Sequence, residues 1–198
     1  MIAGIGVAVV LVLLGIYVAS VYNRLVALFN RAQNAFAQID VQLKRRYDLI
    51  PNLIEVAKKY MQHEKETLLG VTNARNLARN ALESIAQNAD MKSIAKLNGA
   101  ESGLINALKG LNIQMEAYPE LKANENMIKL NEELSATENK IAFARQSYND
   151  GAMNFNVYKQ SFPCNVIAPL FAKYRDDMGL LEFSEGRKVL EKAPKVEF

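Results

Sequence analysis

Residues Ile2 to Val21, "IAGIGVAVVLVLLGIYVASV", carry no charge. About 20 apolar residues at about 1.5 Å each reach about 30 Å, the thickness of a bilayer's hydrocarbon core. A cleaved secretory signal would need a basic n-region and a small-x-small cleavage site. Here no Lys or Arg precedes the run, and "ASVYN" leads directly into a helical pattern. The reading is an uncleaved single-pass anchor over residues 1–22. Arg24 and Arg31 follow the span before the first acid, Asp40. By the positive-inside rule the expectation is a single-pass membrane protein with its N-terminus outside and residues 23–198 in the cytoplasm.

After the anchor, apolar or small residues recur at three- and four-residue spacing: Leu25, Leu28, Ala32, Ala35, Ile39 and Leu43, resuming at Ile50, Leu53, Val56 and Tyr60. A second stripe begins at Leu68, a third at Ile94 and a fourth at Met127, the last reaching Phe155. This is the buried face of helices in a bundle, and no two-residue alternation competes with it. The expected fold is all-α: the transmembrane helix continues into an antiparallel up-and-down four-helix bundle over residues 23–160. Residues 161–198 then pack on the bundle's end or on the membrane interface.

Breaks between the stripes carry the expected local chemistry. Asp90 is a candidate N-cap within residues 87–92, Pro119 holds Tyr118 out of the helical region, and Asn124 can cap the fourth helix. Two sites compete for the first turn, residues 48–51 and residues 61–65. A turn at Asp48 gives a first helix of about 37 Å beyond the membrane and a second of about 60 Å returning, which overshoots into lipid. A turn near His63 closes the lengths. Pro51 is therefore expected to kink a long helix without ending it, since it removes one backbone bond and crowds the carbonyl four residues earlier.

The long blocks "YNRLVALFNRAQNAFAQIDVQLKRRYDLIPNLIEVAKKYMQHEKETL" (22–68) and "AYPELKANENMIKLNEELSATENKIAFARQSYNDGAMNFN" (117–156), with "SFPCNVIA" (161–168) and the closing "PKVEF", resemble the LemA family. The resemblance covers nearly the whole chain. It implies an anchored helical bundle and brings no set of catalytic residues. Members are associated with bacterial membranes, and one relative takes part in forming magnetosome membranes. Phe29, Tyr47 and Cys164 depart from the usual family residues without disturbing the match.

Little in the composition favours catalysis. There is one His, one Cys and no Trp. His63 sits in an expected turn, and Cys164 follows Pro163 with no evident activating group. The bundle has no E-x-x-H pair for a di-iron site, and Glu132, Glu133 and Glu138 lie mostly off the apolar stripe. No cofactor or metal is expected. Charges nearly cancel, 24 Lys and Arg against 21 Asp and Glu, so nucleic acid is not an expected partner. The triplet Lys44, Arg45 and Arg46 lies about 33 Å beyond the anchor, too far for lipid headgroups. It reads as a solvated face or as a basic cluster facing an acidic partner. Residues 162–174 either cover the bundle's end or dip into the interface, and the tail 188–198 is spaced like a docking strand.

Two constellations stand out. Glu101 occupies an apolar-stripe position between Leu97 and Leu104, so it is expected either to pair with a cation, with Arg75, Arg79 and Arg145 as candidates, or to reach water through a rotation of the third helix that Gly99 and Gly103 permit. Gly4, Ala8, Gly15 and Ala19 share one face of the anchor and permit close helix approach. Val26, Phe29 and Phe36 widen the first bundle helix's apolar face. The functional expectation is a non-enzymatic, membrane-anchored scaffold that self-associates and organises or shapes a bacterial membrane. The alternative is an adaptor presenting the bundle to another membrane or signalling protein. Expected partners are the lipid bilayer, further copies of the chain and a membrane-protein partner.

Overall fold

A computed structural model describes residues 2–87 and 91–183. Among them there is no strand. The helices are α1 (Ile2–Tyr60), α2 (Lys65–Gln87), α3 (Met91–Met115), α4 (Pro119–Lys122), α5 (Glu125–Gln160) and α6 (Cys164–Ile167), followed by 3-10 turns at Ala168–Leu170 and Ala172–Tyr174. Asp90 and the tail 188–198 lie outside the described residues.

One helix carries the chain from the apolar run through Pro51 to Tyr60, and the reversal falls at residues 61–64. The reason Pro51 does not end the helix is visible on α2. Proline has no N–H, so the carbonyl four residues back, that of Tyr47, loses its helical donor. Arg75 Nε donates to that same carbonyl oxygen at 2.9 Å. Pro51 itself is exposed, with its ring away from the core. The missing backbone bond is thus replaced by a tertiary one.

Contacts between α1 and α5 run in opposite order along the two helices. Asn124, the N-cap of α5, donates to the Tyr60 hydroxyl at 3.2 Å; Phe36 meets Tyr148 with centroids 5.5 Å apart, and Phe29 meets Phe155 at 5.7 Å. Between these aromatic pairs the backbones close in at Ala32 and Gly151. A Cβ built on Gly151 would stand 3.2 Å from Ala32 Cα, so a side chain there would have to push the two backbones a few tenths of an ångström apart. The cap of α5 is made by Asn124 Oδ1, which accepts from the amides of Asn126 and Met127 at 3.0 and 3.2 Å.

Helix lengths explain why the described residues form two cores. From residue 22 to its end α1 extends about 58 Å and α5 about 54 Å, while α2 and α3 extend about 35 Å each. The shorter pair covers α1 and α5 only over their distal part, where Ile39, Leu43, Ile50, Leu53, Leu97 and Leu104 share one core. Nearer the anchor a second cluster forms from Val21, Leu25, Leu28 and Phe155 with Cys164, Ile167, Ala168 and Tyr174 of the C-terminal segment. That segment substitutes for the two helices that do not reach so far.

Candidate functional site

The anchor is the one candidate membrane-crossing helix among the described residues. Gly4, Ala8, Gly15 and Ala19 are all exposed, and nothing lies within 4 Å of a Cβ built on Gly4 or Gly15. The small-residue face is therefore open along its length. Phe29 and Phe36 do not extend this free surface. They are half-buried under the chain's own Phe155, Tyr174 and Tyr148, which corrects the reading of a spare apolar face there.

The basic triplet does not act as a unit. At about 100° per residue three successive side chains fan across more than half the helix circumference, so they cannot all face one partner. Lys44 pairs with Asp40 one turn away at 2.7 Å, and Arg45 approaches Glu133 of α5 at 3.7 Å; both cations are exposed. Arg46 points the other way. Its side chain is 3% exposed and pairs with Glu101, whose side chain is 0% exposed. The expectation of a partner-facing cluster fails for Arg46, because it lies on the helix face that carries Leu43 and Ile50 into the core.

Arg46 also corrects the partner assignment for Glu101. Arg75 serves the Tyr47 carbonyl and reaches Asp48 at 4.0 Å, Arg79 pairs with Glu83 on its own helix at 2.9 Å, and Arg145 donates to the Phe183 carbonyl at 3.4 Å. None of the three is Glu101's ion-pair partner. The Tyr47 hydroxyl donates to the other carboxylate oxygen, Glu101 Oε1. Burial drives the Tyr47 phenol well above its ordinary value near 10, with neighbouring Arg46 opposing the rise. It remains a donor throughout the neutral range. The result is a buried Arg46–Glu101–Tyr47 group joining α1 to α3, in which neither charge is left alone.

The C-terminal segment contains a feature that the apolar pattern did not signal. After the 3-10 turns, residues 177–183 lie along α5 and α3, held by side-chain amides. Asn156 donates to the Met178 carbonyl and accepts from the Met178 amide, both at 2.9 Å. Asn149, two turns earlier, does the same with Leu181 at 3.0 and 2.9 Å. From α3, Asn98 donates to Leu180 O and accepts from Glu182 N, both at 3.1 Å. The Tyr148 hydroxyl donates to Gly179 O at 2.8 Å, and Lys159 holds the Arg175 carbonyl at 3.0 Å while pairing with Asp177. Each Asn side chain presents the donor and acceptor of a peptide group, so the strap is satisfied as a strand would be by a neighbour.

Reactive groups are not brought together. His63 is exposed in the distal turn, whereas Cys164 is buried against Val21 and Leu25. Along α1 those places are about 50 Å apart. Among the described residues no group of three His, Cys, Asp or Glu is placed to hold a metal ion. A shallow groove of about 520 Å³ runs between α1 and α5 beside Gln38, Gln42, Lys140 and Phe143; Phe143 is 80% exposed.

Known proteins share this sequence pattern. The model of the LemA family matches residues 35–198. Protein LemA of Metamycoplasma hominis is 29% identical over 168 residues, which cover 84% of this chain and 71% of that protein. Magnetosome protein MamQ 2 of Paramagnetospirillum magneticum is 24% identical and magnetosome protein MamQ of Magnetospirillum gryphiswaldense 23% identical, each over 163 residues. Those alignments cover 74% of this chain and 60% of either magnetosome protein. With a family match extending from α1 to residue 198, the chain belongs to the LemA family.

Proposed function

We propose that this protein is a non-catalytic scaffold of a bacterial inner membrane, anchored by residues 1–22. Its four long helices form an antiparallel up-and-down bundle on the cytoplasmic side, and copies associate through the anchor to organise or shape the bilayer. The observation that carries this reading is the unbroken α1, which is both the apolar span and a central member of the bundle core. Tilt or packing of the anchor is then transmitted to the bundle without a flexible joint. The open Gly4, Ala8, Gly15 and Ala19 face supports self-association, because lipid supplies no hydrophobic force between helices and close backbone approach must do so. The similarity to magnetosome proteins supports a membrane role.

Substituting Gly15→Leu and Ala19→Leu together tests it. Light scattering of the chain purified in mild detergent should show the oligomer reduced or lost, with helix content unchanged. A particle of unaltered size would refute association through the anchor. The adaptor reading is favoured by one feature, exposed Phe143 beside the α1–α5 groove. A monomer that co-purifies with a distinct protein, and releases it on Phe143→Ser, would select that reading.

A further inference from the structure

The geometry points to a second membrane contact: the C-terminal cap, residues 161–174, seats in the interfacial layer of the leaflet from which α1 emerges. This inference rests on the anchor reading and adds a wedge beside it. The cap has two faces. Cys164, Ile167, Ala168 and Tyr174 are buried against Val21, Leu25, Leu28 and Phe155, with Val18 partly covered as well. Its other side presents Phe162, Val166 and Leu170, which are 83%, 64% and 76% exposed. These three large apolar side chains recur every four residues, and no described part of the chain covers them.

What covers them follows from where the cap sits. Val18 and Val21 belong to the uncharged run, and the first charge after it is Arg24. A bilayer core requires about 20 residues of helix, so a run of this length has none to spare outside the membrane. A segment touching Val18 and Val21 therefore lies within about one or two helical turns of the first charged residue, at the depth of the headgroups. The surroundings suit that depth. Tyr22 packs on Phe171 with centroids 4.7 Å apart and on Tyr174 at 6.0 Å, giving an aromatic belt. Lys173 lies over the Phe29 ring at 4.8 Å, a cation on an apolar stem at the boundary, and Arg24 is exposed on the same level of α1. Exposed apolar side chains together with cations in one segment are the pattern of a segment that lies in the interface and favours anionic lipid.

The test uses the full chain reconstituted in phosphatidylcholine–phosphatidylglycerol vesicles. In a Cys164→Ala background, Val12→Cys, Phe162→Cys and Phe143→Cys are each labelled with an environment-sensitive fluorophore and exposed to spin-labelled lipids. Val12 reports the span, Phe162 the cap and Phe143 the distal bundle. The expected result is strong quenching at positions 12 and 162 and several-fold less at 143. Quenching at 12 with position 162 no better quenched than 143 overturns the cap contact and leaves the anchor standing. Absence of quenching at 12 overturns the anchor and the cap contact with it. Blue-shifted emission at 162 that ignores the spin-labelled lipids identifies a second copy as the cover and also overturns the inference. Should Cys164→Ala lose helix content, a lipid-borne photoreactive probe on the unaltered chain gives the same answer. Adducts are then expected on Phe162, Val166 or Leu170 and not on Phe143, and the reverse distribution refutes it.

Discussion

Removing Arg75 should hurt this protein only because Pro51 is present. Arg75 Nε donates to the Tyr47 carbonyl, whose helical donor would be the amide of residue 51. In Arg75→Met the carbonyl keeps neither, and loss of a bond from a charged donor costs about 1.5–3 kcal/mol. The contact from Arg75 to Asp48 adds little to this, being 4.0 Å long with Asp48 78% exposed. In Pro51→Ala the alanine amide restores the helical bond, and an interior proline's penalty of up to about 3 kcal/mol is relieved. Greater freedom of the unfolded chain takes back about 0.4–1 kcal/mol of that gain. Arg75→Met on the Pro51→Ala background should then cost less than about 1 kcal/mol, leaving a coupling of about 1–2 kcal/mol. Urea unfolding of the four chains in detergent, followed by far-UV circular dichroism, measures each corner of the cycle. For a domain of this size the single substitution corresponds to about 3–12 °C in melting temperature. If Arg75→Met costs the same in both backgrounds, Arg75 is not replacing the bond that Pro51 removes.

Three further outcomes follow from the same contacts. Glu101→Leu alone should destabilise by about 3–5 kcal/mol in urea unfolding, while Arg46→Met with Glu101→Leu should recover most of the loss, because a lone buried charge costs more than none; equal losses in the single and double variants would contradict the buried pair. Asn149→Ala should speed amide hydrogen exchange at Leu181 by about fivefold or more, reflecting about 1–3 kcal/mol of lost bonding, with core amides of α3 unaffected. Burial raises the Tyr148 phenol to about 12 from an ordinary 10, so the folded state keeps a proton that the unfolded chain releases. That stabilisation is whole below about pH 10 and is lost as pH rises from there through about 12; Tyr148→Phe should flatten the alkaline fall in stability, and an unchanged slope would refute the assignment.

The long apolar N-terminal helix and the all-α class were legible in the sequence, because each depends on period and length along a single helix, and the first reversal near His63 was favoured over residues 48–51 by comparing the lengths of successive helices. A 20-residue uncharged run and a stripe at three- and four-residue spacing require no knowledge of what lies opposite. Asn124 as a cap belongs here too, since capping is local. The tertiary structure decided the pairings. Glu101 on an apolar stripe raised the prospect of a paired cation, but whether it pairs, and the choice of Arg46 over Arg75, Arg79 and Arg145, depends on how α1 and α3 are rotated about their axes. The interrupted stripe between Leu43 and Ile50 was the trace of that choice, since Arg46 and Tyr47 fill the gap opposite Glu101. Arg75 was free for Pro51 for the same reason. The strap was illegible because its polar contacts join residues up to 84 positions apart, and asparagine pairing with backbone has no periodic signature. Periodicity reports which face of a helix leaves water, whereas a directional bond also needs the partner's position, and only the packed chain supplies that.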